Sequence, residues 1–143
     1  MLPKSPVYTD CFKDMGHDSV VKIEALPIDG LQRLRLIFES CNSPRPQGVW
    51  LRSDDSLQID GQAFTTAEFW ADAGKDHYDF TCKGSALWLY NIWLDGDARR
   101  SQAYSSGMLV EEVEGGRRYR CQDFGPDADF SRLVFRLVRR PEQ

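Results

Sequence analysis

The chain of 143 residues is 41% hydrophobic, 28% charged and 12% aromatic, with a formal net charge of −4, values that describe one folded domain and exclude a largely disordered chain. The acid excess argues against non-specific binding of nucleic acid or of an anionic membrane. No apolar stretch reaches the ~20 residues of a spanning helix, and without an apolar h-region near Met1 the expected location is the cytoplasm.

In chain order, Pro3 and Pro6 oppose regular structure and predict an extended lead-in or an edge strand ending near Thr9. In residues 20–26, Val21, Ile23 and Ala25 alternate with Lys22 and Glu24, which predicts a strand with Lys22 and Glu24 on its wet side. Pro27-Ile28-Asp29-Gly30 then reads as a turn. In residues 31–38, Leu34, Leu36 and Phe38 oppose Arg33 and Arg35, completing a hairpin. Ser43-Pro44-Arg45-Pro46-Gln47-Gly48 cannot continue a ladder and is predicted to be a crossing loop.

Residues 49–52 form a short strand, and residues 56–59 and 62–64 flank Asp60-Gly61, a type I′ hairpin signal that pairs Leu57 with Phe64 in the core. Thr65-Thr66-Ala67-Glu68 fits a capping box, and Gly74 fits a helix end. This region therefore carries at most one short helix, near residues 66–73, with a strand bearing Phe69 as the competing reading. Residues 77–82 alternate as a strand.

The most apolar run, residues 85–93, is expected to be the central strand. It sets Ala86, Trp88, Tyr90 and Ile92 on one face and Leu87, Leu89, Asn91 and Trp93 on the other. Both faces are apolar, which predicts cover on both sides. Asp95-Gly96-Asp97 turns the chain into a polar edge strand at residues 99–104. A second hairpin joins residues 108–114 to 117–121 around Gly115-Gly116, and a two-residue loop there would set Glu114 opposite Arg117, Glu111 opposite Arg120 and Val110 opposite Cys121. The last strand is predicted over residues 130–138, with Leu133, Phe135 and Leu137 inward. About ten short strands without a repeat or linker predict an all-β, antiparallel, jelly-roll-like β-sandwich as a single domain over residues 1–143. The irregular loops at 43–48 and 123–129 favour that over an up-and-down barrel.

Signals for chemistry are sparse. Cys11, Cys41, Cys82 and Cys121 contain no Cys-x-x-Cys pair, so they are expected to be reduced thiols. His17 and His77 are the only histidines, and there is no Gly-x-Ser-x-Gly elbow. Enzymatic activity is thus the least supported class, and no cofactor is expected. Asp95 with Asp97, and Asp123 with Asp127 and Asp129, are the candidates for a metal site, but turns use aspartates for their own hydrogen bonds and that reading is preferred. Aromatic residues are the better lead. Trp50 and Trp70 lie beside predicted turns, where rings can anchor a contact. Asn91 is a polar side chain amid apolar neighbours, and His77 completes the candidate ligand or partner residues. The expected function is a non-catalytic binding protein acting on another protein, as an inhibitor, immunity-type protein or adaptor. The alternative is a carbohydrate or small-ligand binding module. Oligomeric state is left open.

Overall fold

A computed structural model describes residues 2–124 and 129–140. Among these residues the strands are β1 (Val7–Thr9), β2 (Val20–Cys41), β3 (Gln47–Ile59), β4 (Gln62–Trp70), β5 (His77–Asp95), β6 (Ala98–Arg100), β7 (Gly107–Val113), β8 (Gly116–Gln122) and β9 (Leu133–Arg139). The only helical element among them is one 3-10 turn, Lys13–Met15. All pairings are antiparallel.

The strands form one sheet in the order β4-β3-β5-β2-β7-β8-β9. Because β9 also pairs with β2, the strands β2, β7, β8 and β9 close into a barrel, from which β5, β3 and β4 extend. The all-β antiparallel class holds. The two core-facing layers expected of a sandwich are here one continuous sheet, joined through β2. Val49, Leu51, Leu57, Leu87 and Leu89 from the extension and Tyr119, Leu133, Phe135 and Leu137 from the barrel belong to one buried cluster. Phe12, Val20 and Phe130 form a smaller second one.

Continuity is the main departure from the sequence reading. The hairpin expected around residues 27–30 is instead an irregularity inside a 22-residue strand, because both halves of β2 pair with β5. Likewise β3 joins two predicted strands across an irregularity between Ser53 and Ser56, and β5 joins two across Gly84. The three irregularities adjoin: Gly30 pairs with Gly84, and Ser56 with Lys83. The sheet thus creases along one line. Asp54 serves the crease by accepting the Ser85 N–H at 2.9 Å, the Ala86 N–H at 3.1 Å and the Ser85 hydroxyl. Ser53 Oγ donates to the Lys83 carbonyl at 2.7 Å and accepts the Asp55 N–H at 3.0 Å. These bonds satisfy backbone groups that a bulged ladder leaves without a strand partner. Gly84 sits there at φ 137°, where a Cβ would also collide with Asp54.

Near residues 66–73 the competing reading holds in place of the helix: a strand bearing the buried Phe69 runs to Trp70, and residues 71–73 turn. β4 pairs with β3 from Gly48↔Trp70 to Ile59↔Gln62, and these ladder bonds prevail over the local capping signal. The Asp60-Gly61 turn forms with φ of 50° and 80° and pairs Leu57 with Phe64. Leu57 is buried, but Phe64 is 42% exposed, since it lies on the terminal strand of the sheet. The β7–β8 turn is Glu114-Gly115, not Gly115-Gly116, so Val113 pairs with Gly116, Glu111 with Arg118 and Met108 with Cys121. Gly115 supplies the positive φ of 82°, whereas Gly116 lets β8 approach β9: a Cβ there would strike the Leu137 carbonyl. The last strand begins at Leu133 rather than residue 130, with Leu133, Phe135 and Leu137 buried as expected.

Candidate functional site

The central strand β5 is buried along one whole face and, on the other, at Ile92, which is fully buried in register with Gly48. Leu87, Leu89, Asn91 and Trp93 point into the core and are at most 2% exposed, whereas Trp88 and Tyr90 are half-buried on the opposite face. The expectation of cover on both faces thus holds at Ile92 and is corrected at Trp88 and Tyr90, where the outside of the curved sheet meets solvent.

That outer face gathers both predicted contact tryptophans. Strand register sets Glu68, Trp50 and Tyr90 side by side across β4, β3 and β5, with Thr66, Arg52 and Trp88 in the next row and Trp70, Gly48 and Ile92 in the row before. The Trp50 indole stacks on the Tyr90 ring, centroids 4.5 Å apart and 18° from parallel. Trp70 lies over Gly48, where an added Cβ would come within 2.9 Å of the indole. Glycine therefore lets this indole lie flat against the strand. Trp88 donates its indole N–H to the Pro3 carbonyl at 2.6 Å, so the N-terminal segment covers one end of the aromatic cluster. Trp50, Trp70, Trp88 and Tyr90 are all half-buried. Charge borders them: Glu68 pairs with Arg99 of β6, and Arg52 is exposed.

The other predicted residues lie elsewhere. Asn91 is buried and donates from Nδ2 to the Gln122 carbonyl at 3.0 Å, a partner on β8 across the core rather than on a neighbouring strand. His77 is exposed, with Nδ1 2.8 Å from Asp76 Oδ1. It lines an open cleft with Ile59, Asp60, Gly74, Lys75, Asp76, Tyr78 and Asp79, which offers no serine, threonine or cysteine for a histidine to activate. His17 packs edge-on against Phe130, ring centroids 5.0 Å apart.

Asp95 and Asp97 are exposed at the β5–β6 turn, Asp129 accepts the Ser131 N–H at 3.1 Å, and Asp127 lies outside the described residues. Among the described residues no group of three or more His, Cys, Asp or Glu side chains is placed to hold a metal ion. Asp123 is fully buried and serves the fold, with Oδ2 accepting from Ser43 Oγ, Arg45 Nε and Gln47 Nε2 at 3.0 to 3.2 Å. The four cysteines are unpaired. Cys82 and Cys121 are buried, Cys11 is half-buried and Cys41 is exposed.

Sequence reasoning missed a buried charged group. Glu24, placed on the wet side by alternation, is fully buried, and its Oε2 accepts from Tyr119 Oη at 2.8 Å and from Arg117 Nη1 at 2.9 Å. Val20 and Val21 are both buried, the first in the second cluster and the second in the main core, so counting alternation from Val21 misassigns the faces that follow. Burial pushes the Tyr119 hydroxyl well above its ordinary pKa, and the Glu24 charge adds to the effect. Burial opposes the Arg117 charge, but the hydrogen bond and charge of Glu24 outweigh it and raise its pKa.

The chain matches no family model, and comparison with curated proteins and with solved structures finds no match. No helix among the described residues is long and apolar enough to cross a membrane, which leaves β-barrel insertion unaddressed.

Proposed function

We propose that the protein is a non-catalytic binding protein that contacts another protein through the outer face of β4, β3 and β5, in an inhibitor, immunity-type or adaptor role. The observation that carries this reading is the cluster Trp70, Trp50, Tyr90 and Trp88, half-buried on the solvent side of the sheet and bordered by Arg52, Glu68 and Arg99. Protein interfaces concentrate tryptophan, tyrosine and arginine in an apolar centre with a polar rim. A sugar-binding platform presents ring faces to its ligand, but one face of Trp50 is already taken by Tyr90, so the protein-binding reading is favoured over the carbohydrate one. A cytoplasmic setting belongs to the same proposal, in keeping with four unpaired cysteines.

Photo-crosslinking tests it. Benzoylphenylalanine at exposed Thr66, in register with Arg52 on this face, is expected to give a discrete protein adduct in cells. The same probe at exposed Arg120 on β8 is expected to give none. Adducts from position 120 alone, or from neither position, would contradict the proposed face.

A further inference from the structure

One end of the barrel is an open cleft of about 300 Å³ that shares no residue with the aromatic face. Leu26, Ile28 and Leu34 of β2, Val113 of β7 and Leu137 of β9 give it apolar walls, and Gln32, Glu112, Arg117 and Arg139 give it polar groups. The volume is at the lower end of the range of roughly 300 to 1,000 Å³ found for small-molecule sites. The crease in β2 and the β7–β8 turn both contribute lining residues.

The polar groups are unequal in kind. Arg117 is held from two sides, with Nη1 donating to Glu24 Oε2 at 2.9 Å and Nε 3.0 Å from Glu112 Oε1. A further side-chain hydrogen bond to Tyr119 completes the anchoring, so this guanidinium is a fixed positive group in the wall of the cleft. Arg139 is exposed, and its side chain forms no ion pair or hydrogen bond among the described residues. The charged donor left to engage a ligand in the cleft is therefore Arg139, beside the anchored Arg117. A planar carboxylate is the head group that a guanidinium fork recognises best, and the apolar walls call for a hydrocarbon tail.

We propose that this cleft binds a small apolar carboxylate, its head group on Arg139 beside the anchored Arg117 and its tail against Ile28, Leu34, Val113 and Leu137.

Octanoate, methyl octanoate and octylammonium share a tail and differ in head group, so they serve as probes for the 15N-labelled full chain. Octanoate is expected to give saturable amide shift changes centred on Ile28, Val113, Gly116 and Leu137. The ester and the ammonium should bind about tenfold more weakly, and Arg139→Gln should weaken octanoate by about tenfold, as loss of a charge-assisted hydrogen bond does. Val113→Trp, which fills the cleft from a half-buried position, should abolish the shifts while leaving the remaining spectrum folded. The proposal is overturned by shifts that do not saturate or that centre elsewhere, by equal affinity for the three head groups, or by unchanged octanoate binding in both variants.

Discussion

Trp50 and Tyr90 stand in register across β3 and β5 and stack with centroids 4.5 Å apart on the outside of the sheet. A parallel aromatic pair of this kind contributes roughly 0.5 to 1.5 kcal/mol beyond the area it buries. A double-mutant cycle of Trp50→Ala and Tyr90→Ala is thus expected to show a coupling of about 1 kcal/mol in chemical denaturation. Strict additivity would mean that the rings do not stack in solution.

Trp88 lies in the next row of the same face and leans on the N-terminal segment through its bond to Pro3. Because it is half-buried, Trp88→Ala should cost about 1 to 3 kcal/mol, below the 3 to 5 kcal/mol of a fully buried indole. Replacing residues 2–6 with a flexible Gly-Ser stretch should shift tryptophan emission to longer wavelength with a smaller stability loss. An unchanged spectrum would show that the segment does not cover Trp88.

Two glycines separate steric from conformational demands. At Gly61 an added Cβ meets open space, so Gly61→Ala is strained only by its φ of 80° and should cost about 1 kcal/mol. Gly116→Ala drives a Cβ into the Leu137 backbone and should cost more, about 3 kcal/mol, by prising β8 from β9. Equal losses would contradict the close approach of these strands.

Several carboxylates predict the response to acid. The Ser85 hydroxyl lowers the Asp54 pKa, and the Arg35 and Arg118 guanidiniums lower those of Asp79 and Glu39. A carboxylate with a depressed folded pKa stabilises above its unfolded value and loses that contribution as pH falls through the folded one. Melting temperature should therefore hold steady from neutral pH to about 5 and decline below about pH 4, with a smaller acid decline for Asp54→Asn. Burial raises the Cys82 pKa to about 11, so stability should also fall as pH rises above 9.0, where the unfolded thiol ionises first. A flat profile through acid would show that these bonds are not formed.

How much of this was legible in the sequence depended on the range of the interaction. The Asp60-Gly61 turn and its Leu57↔Phe64 register were readable because a type I′ turn is specified by two adjacent residues. The continuity of β2 was not, since Pro27 and Gly30 carry the same local signal in a bulge as in a turn, and only pairing with β5 decides between them. Likewise Thr65 to Glu68 satisfies a capping pattern, yet β3 draws the segment into the sheet. At the candidate site, Trp50 and Trp70 were singled out from the sequence, but their shared face with Trp88 and Tyr90 depends on the β3–β4 and β3–β5 registers. The burial of Glu24 beside Arg117 and Tyr119 joins β2 to β8 across 93 and 95 residues and leaves no local trace.

The most direct test of the aromatic face as the contact surface is affinity capture with three baits matched for folding: wild type, Trp50→Ala and Trp70→Ala. The account predicts a protein retained stoichiometrically by wild type and lost with both variants, with a purified-partner affinity at least roughly thirtyfold weaker, the mark of an interface anchor. A stoichiometric partner bound equally by all three baits would contradict it.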